Sequence, residues 1–283
     1  MTIPDYLAHL VDDAAIFPPG NAPLDRALDE HLEHLAAEYG DLVGPFVVSD
    51  VKLPDLIEVV GDRPALPVSV VVTGGAGAIE PAVRWATRAS AIELRGLEIA
   101  LREEEDLARN AGRVIAALDA LEGELADVTT HVEPPRVHEE PATGWLAALD
   151  ALAAREIPVK FRTGGASADA FPTSPELAAC IDAALDRELP FKCTAGLHNA
   201  VRHRDPDTGF EHHGFLNVLL ATRAALDGDD AVAALEDTAP ADRVARIGTD
   251  TLARTRRWFT SFGSCSILEP HHDLVELGLL GGN

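Results

Sequence analysis

The sequence predicts an α/β protein, a single-domain (β/α)8 barrel over residues 1–283. Three observations lead there. The chain has 283 residues, close to the roughly 250 typical of that architecture. Eight short runs rich in β-branched residues alternate with longer Ala- and Leu-rich stretches of helical character. The runs are nearly continuous in apolar residues, as expected of parallel strands covered on both faces. An open, doubly wound sheet is the alternative, because periodicity does not report closure.

In chain order the strand runs are 10–17, 44–49, 66–75, 94–101, 126–132, 157–165, 190–197 and 257–267. Helices are predicted over 23–39, 80–89, 104–123, 144–156 and 174–188, each carrying apolar residues at helical spacing. The seventh unit is enlarged: residues 199–255 form a loop and helical insertion within the barrel. It opens with a polar loop over 202–214, continues with a helix over 215–226, and is predicted to add two further short helical pieces. A loop rich in His, Arg and Asp at the strand C-terminal end is a candidate lid, with His203, His212 and His213 as candidate acid–base residues.

Composition narrows the function. Apolar residues make up 47% of the chain, ample for a large core, yet no run of 18 or more is apolar, so no membrane span is expected. The first 13 residues carry no basic segment or long apolar run, and the protein reads as cytoplasmic. Cys180, Cys193 and Cys265 lack C-x-x-C spacing, which argues against a disulfide framework or a zinc knuckle. A net charge of −24 opposes nucleic acid and anionic membranes as partners. The expected partner is a small carbonyl substrate; if it is anionic, a local basic patch must attract it. A homo-oligomer stays open, and no cofactor is expected.

The chain has 20 arginines but three lysines, Lys52, Lys160 and Lys192. Strand alternation puts Lys160 and Arg162 on one face of the sixth run, with Val159 and Phe161 on the other. The apolar pair suits the helix layer, so Lys160 and Arg162 point inward. The same parity turns Lys192, Thr194 and Gly196 inward on the seventh run, Glu98 on the fourth, and His131 and Glu133 on the fifth. Catalytic groups of such barrels sit at strand C-termini. An ordinary lysine near pKa 10.4 is only about 0.04% free amine at pH 7, and a three-unit depression raises that to roughly a quarter. The cationic neighbours Arg162 and Lys192 are expected to depress Lys160 and prepare it for Schiff-base chemistry. A lysine salt-bridged to Glu98 or Glu133 as a core strut is the alternative.

Val159-Lys160-Phe161-Arg162-Thr163-Gly164 resembles the V-K-x-S-T-G strand of the deoxyribose-phosphate aldolases, class I (Schiff-base) aldolases on a TIM barrel. Phe191-Lys192-Cys193-Thr194-Ala195-Gly196 is similar to their F-K-x-x-G-G, and the two lysines are 32 residues apart, close to the family spacing. Phe262-Gly263-Ser264-Cys265-Ser266-Ile267-Leu268 resembles the F-G-x-S-S-L-L phosphate loop. Shorter similarities fall at Leu10–Ala14, Val51–Leu53, Val70–Gly75, Leu97–Ile99 and Glu133. The resemblance implies that Lys160 forms the imine, that Lys192 lowers its pKa, and that Glu98, with Asp12, moves protons. It also implies that Gly164, Gly165, Gly196 and Ser266 hold a phosphate or carboxylate. Thr163, Thr194, His198, Ser264 and Glu133 complete the candidate substrate contacts. Arg162, Cys265 and Ala195 depart from the family pattern, and Arg162 is expected to clamp a substrate carboxylate.

The leading expectation is therefore a Schiff-base, aldolase-type carbon–carbon lyase acting on a sugar-phosphate-like or oxo-acid carbonyl compound. A metal-dependent hydrolase or isomerase is the second class, with His131, Glu133 and His198 as ligands of Zn²⁺ or Mn²⁺ and Glu98 in reserve. A binding barrel without catalysis is the third. Cys265, Trp85, Trp145 and Trp258 are read as packing residues.

Overall fold

A computed structural model describes residues 2–102 and 105–281. Glu104, which opens the third predicted helix, lies outside them, as do Met1, Gly282 and Asn283 at the ends of the expected barrel span. Eight parallel strands close into a barrel: β1 (Val11–Asp13), β2 (Val43–Ser49), β3 (Leu66–Val72), β4 (Ile92–Ala100), β5 (Thr129–Glu133), β6 (Val159–Arg162), β7 (Phe191–Thr194) and β10 (Phe259–Ser264). Strands β1 and β10 seal the ring, with Val11, Asp12 and Asp13 opposite Phe262, Gly263 and Ser264. The closed barrel, not the open sheet, is the architecture.

The helices α1 (Leu24–Ala36), α2 (Leu53–Val60), α3 (Ala76–Arg88), α4 (Leu107–Asp119), α5 (Thr143–Ala153), α6 (Ser174–Leu185) and α7 (Phe215–Asp227) alternate with the strands. Local chemistry sets their starts. Asp106 caps α4 by accepting from the Arg109 amide, and Thr173 with Glu176 forms a capping box on α6. The main apolar layer lies between strands and helices. Phe161 packs on Trp145 and Phe191, and Phe191 on Phe259, so the odd-parity residues of β6 and β7 face the helices. Their even-parity neighbours, Lys160 and Lys192, are left to the barrel interior.

At the strand N-terminal end, half-buried Arg256 ties the chain together. Its guanidinium donates to the carbonyls of Tyr6 (2.9 Å), Ala8 (3.1 Å) and Phe259 (3.0 Å), and also to Thr260. Oxygens that would lack partners near the barrel base are thereby satisfied.

The enlarged unit after β7 differs in detail from its prediction. The polar loop is a small antiparallel hairpin, β8 (His203–Arg204) and β9 (Glu211–His212), with His203 opposite His212. Asp205 organises its turn, its carboxylate accepting from the amides of Asp207 (3.1 Å) and Thr208 (2.7 Å). Three short helices, not two, follow α7: α8 (Ala231–Leu235), α9 (Pro240–Ile247) and α10 (Thr249–Thr255). Gly248, at φ 85°, turns the chain sharply between the last two, a break that the charged, helical-looking sequence conceals. Asn217 on α7 pins the insertion by accepting from the Arg202 amide and donating to the carbonyls of Ala234 and Asp237. No helix among the described residues is long and apolar enough to cross a membrane. Of the three tryptophans, Trp145 is buried and Trp85 is exposed, so the packing role expected of Trp85 does not hold.

Candidate active site

Lys160 and Lys192 are directly opposite each other on adjacent strands β6 and β7. Both side chains point inside the barrel, where the residues are 3% and 2% exposed. Such cations are costly to bury unless paired, and here each meets two carboxylates. Lys160 Nζ is 2.8 Å from Glu98 Oε2 and 2.8 Å from Glu133 Oε2. Lys192 Nζ is 2.6 Å from Glu98 Oε1 and also contacts Asp12 Oδ2. Glu98 thus bridges the two amines, and Arg162 Nε donates to Glu133 Oε1 at 2.8 Å. Three carboxylates and three cations balance one another within a few ångströms.

Hydroxyls complete the cluster. Ser69 Oγ donates to Glu98 Oε1 (3.1 Å), and Ser261 Oγ donates to Asp12 Oδ2 (2.9 Å). Sequence reading missed both serines, although each is a polar residue at inward parity in an apolar strand. Gly44 makes room for the network, since a Cβ there would lie 2.3 Å from Asp12 Oδ1.

The electrostatics correct one expectation. Burial by itself would lower Lys160, but Glu98 and Glu133 more than offset it and hold Lys160 above the ordinary lysine value. Lys192 is likewise raised by Asp12 and Glu98 despite burial. Neither lysine is depressed, because each amine is in direct contact with two carboxylates. Glu98 is held well below the usual carboxylate range: burial pushes it up, and the two lysines pull it further down. Asp12 moves the other way, raised chiefly by burial. His131 lies in the same interior. Burial, with Lys192 adding to it, lowers its imidazole to about 3, and its Nε2 has no hydrogen-bond partner.

A cavity of about 920 Å³ opens above the cluster. Glu98, Lys160, Lys192, Arg162, Gly165, Thr194, Gly196, His198 and Ser266 border it, as does Cys265. The hairpin covers it with His203, Asp205, Thr208, Phe210 and His212, and Phe171 packs against His212 at 4.4 Å between ring centres. His213 does not join them: it is buried, with Nε2 2.8 Å from the Pro172 carbonyl oxygen. Asp12 and Glu133 lie beneath the cavity, behind the amines they pair with. Thr163 donates to the carbonyls of Thr194 and Ala195 and acts as a strap between β6 and β7. Gly164 packs on Gly196, where a Cβ would lie 2.8 Å from the Gly196 Cα. Ser264 donates to the Ser266 carbonyl. Thr163, Gly164 and Ser264 therefore shape the cavity from behind and do not line it. The loop after β1, Phe17 to Gly20, and Glu269 also border the cavity and were not foreseen, since nothing in their local sequence marks them.

The three residues expected as metal ligands, His131, Glu133 and His198, are not brought together. Glu133 is taken up by Lys160 and Arg162, while His198 lies 2.9 Å from Glu269, facing a cavity that His131 does not reach. Among the described residues no group of three or more His, Cys, Asp or Glu is arranged to hold a metal ion.

These features define a (β/α)8 barrel with a charge-balanced, two-lysine interior beneath a cavity at the strand C-termini, the face on which enzymes of this fold place their chemistry. Compared with known proteins, the sequence matches no family model and no curated protein.

Proposed function

We propose that the protein is a class I, Schiff-base carbon–carbon lyase of the aldolase type, acting on a small carbonyl compound that carries an anionic group. The observation that carries this reading is the in-register pair of buried lysines bridged by Glu98 at the floor of the cavity. Lys160 is the nucleophile and Lys192 its charge partner, in keeping with the resemblance to the deoxyribose-phosphate aldolases.

Lys160 rests as an ammonium, and freeing its amine at pH 7 costs about 5 kcal/mol or more. The proton has a route out: Lys160 to Glu98, which also touches Lys192, which in turn touches Asp12. Asp12 is the carboxylate of the cluster that burial raises, while Glu98 and Glu133 are lowered, so it is the one placed to hold a proton. The free Nζ attacks the carbonyl carbon, and the carbonyl oxygen leaves as water after protonation. The resulting iminium restores a positive charge between Glu98 and Glu133, so the carboxylates that hold back the free amine stabilise the intermediate. Cleavage sends the C–C bonding electrons into the iminium to give an enamine, while a base removes the hydroxyl proton of the departing aldehyde. Arg162, half exposed at the cavity wall, is placed to bind the substrate anion.

The test does not require the natural substrate. An iminium acidifies the donor α-carbon, so incubation with acetaldehyde, pyruvate or dihydroxyacetone phosphate in D2O should exchange deuterium into at least one of them, read by ¹H NMR. Exchange should survive EDTA and be lost in Lys160→Arg. Exchange abolished by EDTA, or unchanged in Lys160→Arg, contradicts the proposal.

A further inference from the structure

A second reactive cluster faces the same cavity from the loops that follow β7 and β10. Cys265 follows β10, and its Sγ lies 3.9 Å from both Nδ1 and Nε2 of His198. His198 Nδ1 lies 2.9 Å from Glu269 Oε2. The thiol lies within reach of both ring nitrogens and the carboxylate holds Nδ1, the set of groups with which a base activates a sulfur nucleophile and is itself oriented by a third group. Burial would lower His198, but Cys265 and Glu269 more than offset it and lift the imidazole to about 9, so it is an imidazolium at neutral pH. The other two cysteines are buried away from the cavity, and burial pushes Cys180 up to about 12 and Cys193 higher. The wall opposite Cys265 is kept clear by Gly20, where a Cβ would stand 2.9 Å from the Cys265 Cβ and 3.3 Å from its Sγ. The Lys160 mechanism uses none of these groups as a nucleophile.

We propose that Cys265, with His198 and Glu269, forms a second covalent site in the barrel cavity that takes aldehydes and other soft carbon electrophiles through sulfur. With an aldehyde, the thiolate adds to the carbonyl carbon and forms a C–S bond. The π electrons move to oxygen, which takes the proton of the His198 imidazolium, leaving a thiohemiacetal and neutral imidazole. No other reactant is consumed, and the step reverses when the imidazole takes the proton back. The site stands on its own geometry and does not depend on imine formation at Lys160.

Iodoacetamide tests the sulfur, and acetaldehyde tests the carbonyl chemistry. At pH 7 the reagent should label Cys265 well ahead of Cys180 and Cys193, as read by peptide mass. His198→Gln should slow that labelling by about tenfold or more at pH 7, and by much less at pH 9.5, where an ordinary thiol is already largely ionised. Glu269→Gln should slow it by a smaller factor; its carboxylate is half exposed, so this variant keeps the test informative if His198→Gln does not fold. Acetaldehyde should protect Cys265 in a concentration-dependent way, and equally in Lys160→Arg. Labelling that ignores both substitutions, or that falls first on Cys180 or Cys193, overturns the proposal. So does acetaldehyde protection that is absent, or that vanishes with Lys160→Arg.

Discussion

Ala195 and Gly196 end β7 with two successive residues in the left-handed region, at φ 62° and 76°. For Gly196 that conformation costs nothing, but Ala195 carries a Cβ, and the strain amounts to about 1–2 kcal/mol. The turn aims Thr194 and Gly196 at the cavity and lets Gly196 press against Gly164. Strain of this kind persists where the surroundings over-determine a conformation, often beside a functional site. Ala195→Gly removes the Cβ but loosens the unfolded chain, which returns part of the gain. The expected net effect is a stabilisation of roughly 0.5–1 kcal/mol in urea unfolding. A destabilised variant would mean that the Ala195 methyl contributes packing that outweighs the strain. At this scale much was legible in the sequence. Parity alone turned Lys160, Lys192, Glu98, His131 and Glu133 inward, because Val, Leu, Ile and Phe at the alternate positions leave only one apolar face. What parity could not give was distance. Whether a lysine has a cation or a carboxylate as its nearest neighbour depends on the shear of the closed ring, and it reversed the direction expected for Lys160.

The elements show where local signals are reliable and where they mislead. Helix α6 announces itself with Thr173, Pro175 and Glu176, a cap and first turn with little other use. Helix α3, expected from residue 80, begins about one turn earlier at Ala76, after Gly75. Alanine and glycine there carry no start signal of their own. The segment between α10 and β10 holds the other hidden element, Arg256, whose role depends on Tyr6 and Ala8 at the far end of the chain. Burial lowers its guanidinium to about 10, still a cation at neutral pH. Arg256→Ala leaves several buried carbonyls without partners and should cost about 3–5 kcal/mol. Chemical denaturation should show this as a lower midpoint with unchanged slope. A loss under 1 kcal/mol would mean that water replaces the guanidinium freely.

For the whole molecule, the buried ionisable groups set how the fold responds to pH. His131 and His213 are held neutral by burial, at about 3 and about 4. In the unfolded chain both protonate near 6.5. Between those values the unfolded state binds more protons, so stability falls as pH drops from about 6.5 towards 3. Glu98 and Glu133, depressed in the fold, add to the loss as they protonate below the usual carboxylate range; Asp12, raised in the fold, opposes it in part. Unfolding free energy should therefore drop by several kcal/mol between pH 7 and pH 4. His131→Phe should flatten that dependence, and a profile as steep as that of the unaltered protein would show that His131 is not neutral in the fold. Closure of the ring is what creates this buried charge. Strand periodicity foretold eight strands, but only the pairing of β1 with β10 brings Asp12 to Lys192, 180 residues away.

Reductive trapping tests the central claim most directly. The protein is incubated with acetaldehyde, pyruvate or dihydroxyacetone phosphate and then treated with borohydride, which converts an iminium to a stable secondary amine. One substrate mass should appear on one peptide, the one containing Lys160, and Lys160→Arg should abolish it because guanidinium stays protonated. Lys192→Leu should slow capture without ending it, since Glu98 then serves Lys160 alone and holds its proton more tightly. Because Lys160 is raised above the ordinary lysine value, the capture rate should climb about tenfold per pH unit between pH 7 and pH 9. Label on Lys52 or spread over the surface, or no adduct with any of the three carbonyl compounds at pH 9, would contradict a Schiff-base enzyme built on Lys160.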